Sequence, residues 1–352
     1  MSLRRVAVLL AALALADCAT APPVAIRHSS IPPEPTPAPP PAESAWSRLP
    51  GWTAEDHAQA FAAYRAGCPP SLRPCALAGA LGSVNTVQAK AFFEQNFRPA
   101  PVGAPGVLTG YFMPVYPASH TAYGVFTAPV RPRPGDLLRT SAAYPDRTAI
   151  EARPAEDALA WMRPEDLFFM QVQGSGVLTF QDGRQVRAVF DGSNNAAFRG
   201  IAAPMRSQGL LVDADTSAEA IRSWLAAHTG PTATAIMQLN PRYVFFRLIA
   251  DDGGQPKGAA NTPLIPGRSL AVDPAYHAMG ELFWVDAAAP LLTGAYPTYR
   301  RLAVALDTGG AIKGPARADL FIGRGAAAGL EAGRVRHALN LYRLVPLDRP
   351  TP

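Results

Sequence analysis

Proline recurs too often along this chain for a long helix to run through it. Prolines number 37 among 352 residues, about twice ordinary usage, and each removes a backbone donor and crowds the preceding helical turn. Coiled coils and long bundles are therefore excluded, and strands and loops should dominate. The chain is still 48% hydrophobic, enough at this length for a large core and about two domains. The charge balance is only mildly basic. Lys plus Arg exceed Asp plus Glu by 32 − 27 = 5, with no dense basic cluster, so no nucleic-acid partner is expected.

The amino terminus reads as an address. Arg4 and Arg5 precede the apolar run Val6 to Leu15, too short to span a bilayer but suited to an export signal. Leu15-Ala16-Asp17-Cys18 resembles the lipobox of bacterial lipoproteins, with Asp17 departing from the small residue usual before the cysteine. The expectation is a signal at 1–18, lipidation of Cys18 and a periplasmic protein held at the outer membrane, because Ala19 is not the Asp of an inner-membrane retention signal. Residues 19–44 carry nine prolines and should form an extended tether. Cys68 and Cys75 can either close a small disulfide loop or remain two thiols. His28, His57, His120, His228, His277 and His337 show no metal-ligand spacing, so neither a metal nor another cofactor is expected.

Local patterns predict a helix over Thr53–Ala66 capped by Thr53, a second from about Val84 to Phe97, and a third over Ser217–Ala227 with Thr216 and Glu219 as a capping box and Gly230 as its stop. Between Leu108 and Asn240, short apolar runs such as Leu167–Val172 and Val177–Phe180 read as strands, with a hairpin turn at Gln181-Asp182-Gly183-Arg184. Further strands are predicted at Val244–Ile249, Ser269–Val272, Leu282–Val285, Arg301–Leu306, Ala318–Ile322 and Leu341–Val345. A compact barrel or sandwich fits them.

The densest polar motif is Asp307-Thr308-Gly309-Gly310-Ala311-Ile312-Lys313-Gly314, with Asp319 twelve residues beyond Asp307. It lacks the order of a phosphate-binding P-loop. Asp307-Thr308-Gly309 resembles an aspartic peptidase motif, but the second copy such an enzyme needs is missing, since Asp191-Gly192-Ser193 has the wrong order. The remaining functional reading makes Asp319 an acid that protonates a glycosidic oxygen, which requires a carboxyl kept neutral by burial or by a neighbouring carboxylate such as Asp307 or Asp273. Ordinary strand-ending acids would look similar.

Asp273, Asp307 and Asp319 sit in Ala-Val-Asp-Pro, Asp-Thr-Gly-Gly-Ala-Ile-Lys-Gly and Ala-Asp-Leu-Phe-Ile-Gly-Arg-Gly. With Gly110-Tyr111-Phe112-Met113-Pro114, Gln171 to Gly176, Asn240 to Phe246 and Leu264 to Leu270, in that order, they resemble the lytic murein transglycosylase A family with its three-aspartate domain. The resemblance covers about Leu108 to Leu347. It implies a mainly β protein with a few helices: a double-psi β-barrel built from a helical part at 45–107 and the strands of 241–352, a β-rich glycan-binding domain inserted at 108–240, and a groove between them.

The resemblance also implies a chemistry. The β-1,4 bond between N-acetylmuramic acid and N-acetylglucosamine in peptidoglycan would be cut without water, leaving a 1,6-anhydromuramic acid end. Asp319 would be the acid, with Asp307 assisting by position and charge and Asp273 supporting local hydrogen bonding. Tyr111, Gln173, Gly174, Ser175, Gly176, Asn194 and Lys313 form the expected glycan-binding set. The partner would be peptidoglycan glycan strands and the protein a monomer. A hydrolase using water and a non-catalytic murein-binding lipoprotein are the alternatives.

Overall fold

A computed structural model describes residues 45–103, 105–137, 144–290 and 296–347, with the side chains of 214, 289 and 290 left aside. The expected signal, Cys18 and the tether lie outside these residues. The described residues all belong to the unit formed by Glu43–Pro352.

Helices α1 (His57–Gly67), α2 (Arg73–Leu81) and α3 (Thr86–Asn96) open the described chain. Thr53 lies in a short 3-10 turn, so it does not cap α1; Asp56 does, accepting from Gln59 N at 3.0 Å. In α3, Asn85 and Gln88 form a reciprocal capping box. Helix α2 was not anticipated; its Pro74 sits in the first turn, the one place where a missing N–H costs nothing. Cys68 and Cys75 are disulfide-bonded across the α1–α2 connection.

Strands β1 (Phe97–Pro101), β2 (Gly106–Met113), β3 (Val115–Pro117) and β4 (Ala128–Val130) follow. Next come α4 (Arg147–Glu151), β5 (Ala160–Met162), α5 (Pro164–Gln173), β6 (Ser175–Thr179) and β7 (Gln185–Ser193). The apolar run Leu167–Val172 is therefore helical, not a strand. Pro164 starts α5, Glu165 and Asp166 occupy its positive end, and Gly174 ends it at φ 83°. The Gln181–Arg184 hairpin turn is present between the antiparallel pair β6 and β7.

Helices α6 (Ala202–Ser207), α7 (Ala218–Ala227) and α8 (Pro231–Gln238) precede β8 (Val244–Ala250). The cap of α7 is Ser217, which accepts from Ala220 N at 3.1 Å, not Thr216. Gly230 lies beyond the α7 cap residue His228 and introduces α8. The chain ends with β9 (Ser269–Val272), β10 (Leu282–Pro290), β11 (Thr298–Asp307), β12 (Arg317–Arg324), α9 (Gly325–Ala332) and β13 (Arg336–Pro346).

The strands form a seven-stranded sheet in the order β1-β13-β10-β11-β9-β12-β2, a four-stranded sheet β3-β6-β7-β8 and the pair β4-β5. β8 carries the four-stranded sheet to Ala250, past the boundary expected at 240. In the large sheet β13 also pairs with β2, through Arg336↔Thr109 to Leu339↔Gly106. Leu108, Leu270, Val272, Phe283, Val285, Ala303, Ala305, Ala318, Leu320 and Leu339 pack together as one buried core of this sheet. The helices α1 and α3 bring Phe61, Tyr64, Phe92 and Phe93 against Trp284, Leu306 and Phe321 in a second. Glu55 and Arg268 lock these layers: they pair at 2.7 Å, Glu55 accepts from Leu302 N, and Arg268 donates to Leu302 O.

Candidate active site

Side chains on β9 and β12 alternate between the core and the opposite face, as the pleat requires. Leu270, Val272, Ala318 and Leu320 enter the core, which leaves Ala271 and Asp319 on the other side. Register then assembles a row across four strands. Asp319 is opposite Thr109 on β2 and Ala271 on β9, and Ala271 is opposite Asp307 on β11. A register shift between Ala305 and Asp307 sets that last pairing, the usual effect of a bulge in re-aiming a side chain. The two acids thus stand two inter-strand spacings apart, about 9.5 Å between backbones. Between them is the smallest chiral side chain.

Over this row lies a cavity of about 260 Å³. Asp307, Asp319, Ala271, Thr109 and Tyr111 line it from the large sheet, the loop Thr308–Ile312 closes one side, and Gln173, Phe198, Asn240 and Arg242 face it from the other.

Asp319 accepts a 2.6 Å hydrogen bond from the Thr109 hydroxyl on Oδ1, and Thr109 in turn accepts from Arg317 Nη2 at 2.8 Å. Burial pushes the Asp319 carboxyl up, with a smaller upward push from Asp307; Arg317 and the Thr109 hydroxyl pull the other way. Asp307 is held more fully. Its Oδ1 accepts from Ala259 N and Thr308 N at 3.0 and 2.9 Å, and its Oδ2 accepts from Tyr111 Oη at 2.9 Å. Burial raises it too, against those three donors. The Tyr111 hydroxyl is raised well above its ordinary value by burial and by Asp307, so it stays a donor.

Most of the remaining expected residues lie away from the cavity. Asp273 accepts from Gly314 N at 2.8 Å and Ala275 N at 3.2 Å, and the Gly314 bond is the main cause of its lowered pKa. It anchors the end of the Gly-rich loop and is not on the cavity wall. Lys313 is exposed and pairs with Asp273 at 3.7 Å. Asn194 is buried and spent on backbone: its amide donates to Pro145 O and Pro241 O, and its carbonyl accepts from Tyr243 N. Of the Gln173–Gly176 segment only Gln173 reaches the cavity, and its Oε1 accepts from Phe112 N at 3.0 Å. Gly174 stops α5, Ser175 begins β6, and Gly176 lets Met170 pack closely, since a Cβ there would lie 2.8 Å from the Met170 sulfur. Tyr111 does line the cavity, but it contributes a hydroxyl to Asp307 while its ring packs on Phe321 at 5.3 Å.

Thr109, Arg317 and Arg242 were not anticipated as site residues. The signal for the first two is alternation: Arg317 shares a strand face with Asp319, and Thr109 with Tyr111. Among the described residues no group of three or more His, Cys, Asp or Glu side chains is placed to hold a metal ion.

Residues 107–247 match the family described as the MltA specific insert domain, and residues 268–345 match the 3D domain. The membrane-bound lytic murein transglycosylase A of Vibrio cholerae serotype O1 is 34% identical over 258 residues, 70% of this chain and 67% of that protein. The chain belongs to the membrane-bound lytic murein transglycosylase A family. Solved structures agree with this family assignment. The membrane-bound lytic murein transglycosylase of Agrobacterium tumefaciens superposes with a TM-score of 0.73 at 31% identity, over 86% of this chain and 97% of that one. The Escherichia coli family member with bound chitohexaose gives 0.66 at 28% identity, over 83% of this chain and 89% of that one. The described residues of this family member contain no helix long and apolar enough to cross a membrane.

Proposed function

We propose that this chain is a lytic transglycosylase that cleaves the β-1,4 bond between N-acetylmuramic acid and N-acetylglucosamine in peptidoglycan, with Asp319 as both acid and base. The observation that carries the assignment is the setting of Asp319: a carboxyl on the cavity wall, raised by burial, with one oxygen fixed by Thr109. A carboxyl kept neutral in this way can give its proton to the glycosidic oxygen as the bond to the muramyl anomeric carbon breaks. The resulting carboxylate takes the proton of the muramyl O6 hydroxyl while that oxygen bonds to the anomeric carbon. The proton lost in the first step is regained in the second, and the sugar closes to its 1,6-anhydro form. Because the nucleophile is part of the substrate, its effective concentration is high and no water needs activating.

Asp307 favours this reading over hydrolysis. A hydrolase needs a second carboxylate free to attack the sugar or to activate water. Both oxygens of Asp307 already accept hydrogen bonds, three in all, so it acts by charge and position. Asp273 and Lys313 support the loop that closes the cavity. Gln173 and the Thr308–Ile312 backbone are the contacts offered to the glycan, and the chitohexaose of the Escherichia coli relative is a ligand of the same chemistry.

The pairing of β13 with β2 supports a double-psi β-barrel for the large sheet, with the four-stranded sheet as the inserted domain. Export, acylation at Cys18, an outer-membrane address and a monomeric state complete the proposal. Mass analysis of digested murein is the decisive test. Muropeptides one water lighter than reducing ends are expected; reducing ends would assign a hydrolase, and tight glycan binding without turnover a binding protein. Full sacculus lysis by Asp319→Asn would remove the acid assignment.

A further inference from the structure

The cavity holds a cation with unspent donors. Three arginines line it. Arg147 is committed to Glu151 at 3.0 Å and to the carbonyls of Asn240 and Arg242. Arg317 is committed to Thr109 and to the carbonyls of Val107 and Ala318. Arg242, half-buried, makes one side-chain hydrogen bond among the described residues, Nη1 to Ala196 O at 3.3 Å, and forms no ion pair there. A guanidinium has five N–H donors, so most of its fork is available to the cavity.

Its position is fixed from two sides. Arg147 donates to its carbonyl at 2.7 Å, and its own N–H donates to Asn240 Oδ1 at 3.2 Å. Its head lies so close to the loop that a Cβ on Gly310 would come within 2.8 Å of Cζ, which places the charge beside the Asp307–Gly310 turn. Partial burial lowers its pKa, and among the described residues no carboxylate lies within ion-pair distance of it. A half-buried cation without a charged partner gains from the arrival of an anion.

The two sugars of the glycan differ at one substituent. Muramic acid carries a 3-O-lactyl group, a carboxylate where no peptide is attached; glucosamine carries a hydroxyl. We propose that Arg242 is a specificity-determining residue that receives the lactyl carboxylate of a peptide-free muramyl residue and so lets the cavity tell muramic acid from glucosamine. This rests on the transglycosylase reading for its substrate class. A planar fork suits a carboxylate bidentately, and the water-poor wall strengthens the contact.

The test measures binding without turnover, in the Asp319→Asn protein. A peptide-free tetrasaccharide alternating glucosamine and muramic acid is titrated beside chitotetraose. Arg242→Gln should weaken the muramyl ligand by about tenfold or more and leave chitotetraose within about twofold, with Arg242→Lys between the two. Equal loss of both ligands would mean a structural role, and no loss of either would mean no contact; each overturns the proposal. A second measurement needs no variant at position 242. Esterifying the lactyl carboxylate should cut affinity to the level of the Gln variant, and indifference to the ester also overturns it. Should murein digestion yield reducing ends while this discrimination persists, the reaction assignment fails and the role of Arg242 stands.

Discussion

Thr109 and Asp319 are register partners on adjacent parallel strands, and the hydroxyl of one donates to the carboxyl of the other at 2.6 Å. The bond favours the carboxylate, so it opposes the burial that keeps the acid protonated. Its purpose is orientation, and its cost is a lower pKa than burial alone would set.

Thr109→Val removes that donor and keeps the shape of the residue. The Asp319 pKa should rise further, because a bond to the charged form is lost. Cleavage needs the protonated form, so the alkaline limb of the pH–rate profile should move to higher pH while maximal rate falls through poorer orientation. A limb that moves to lower pH would contradict the assigned direction.

Asp319→Asn should lower murein cleavage by roughly 10²–10⁴-fold, the range for loss of one general acid–base group. Stability should respond in the opposite sense. The folded-state pKa of Asp319 lies above its ordinary 3.8, so its stabilising contribution is full below that value and is lost as pH rises through the folded pKa. The variant should therefore match wild type in Tm at low pH and exceed it near neutrality. Asp307, raised in the same direction, should leave both proteins with some decline as pH rises.

Gly106→Ala tests the strand pairing under the site. A Cβ at Gly106 would lie 1.6 Å from the carbonyl oxygen of Ala316, on backbone that cannot rotate away. β2 must move from β12 or fail to pair, taking Thr109 from Asp319. Denaturant unfolding should show a loss of about 3 kcal/mol or more. A near-neutral result would mean that the start of β2 relaxes freely.

Reduction of Cys68–Cys75 should lower stability by about 2–3 kcal/mol, the value for so short a closed loop. Cleavage activity below the new melting temperature should be unchanged, because the bond lies in the helical layer, away from the cavity wall. Thermal unfolding with and without reductant reads the first effect, and muropeptide release reads the second.

What could be read directly from sequence was local. Alternating apolar runs located β8 to β13, with ends shifted by a few residues, and the three aspartates stood out because acids ended or interrupted those runs. Leu167–Val172 failed because a six-residue run with five apolar side chains between breakers satisfies a buried strand and a buried helix alike. Pro164, the acids behind it and Gly174 decided for the helix. Capping was misplaced at Thr53 and Thr216, where a neighbouring Asp or Ser supplied the oxygen instead.

The sequence by itself determined that strand-end carboxyls and a Gly-rich loop would be close along the chain. Only the tertiary structure decided which of them share a surface. Pairing of β11, β9, β12 and β2 aligned Asp307, Ala271, Asp319 and Thr109, and one register shift brought Asp307 into that row while Asp273 turned to the loop backbone. Arg242, remote in sequence from Asp307 and Asp319, arrived on the facing wall. Distances between strands are set by which backbones exchange hydrogen bonds, and that choice depends on the whole core, so no local pattern contains it.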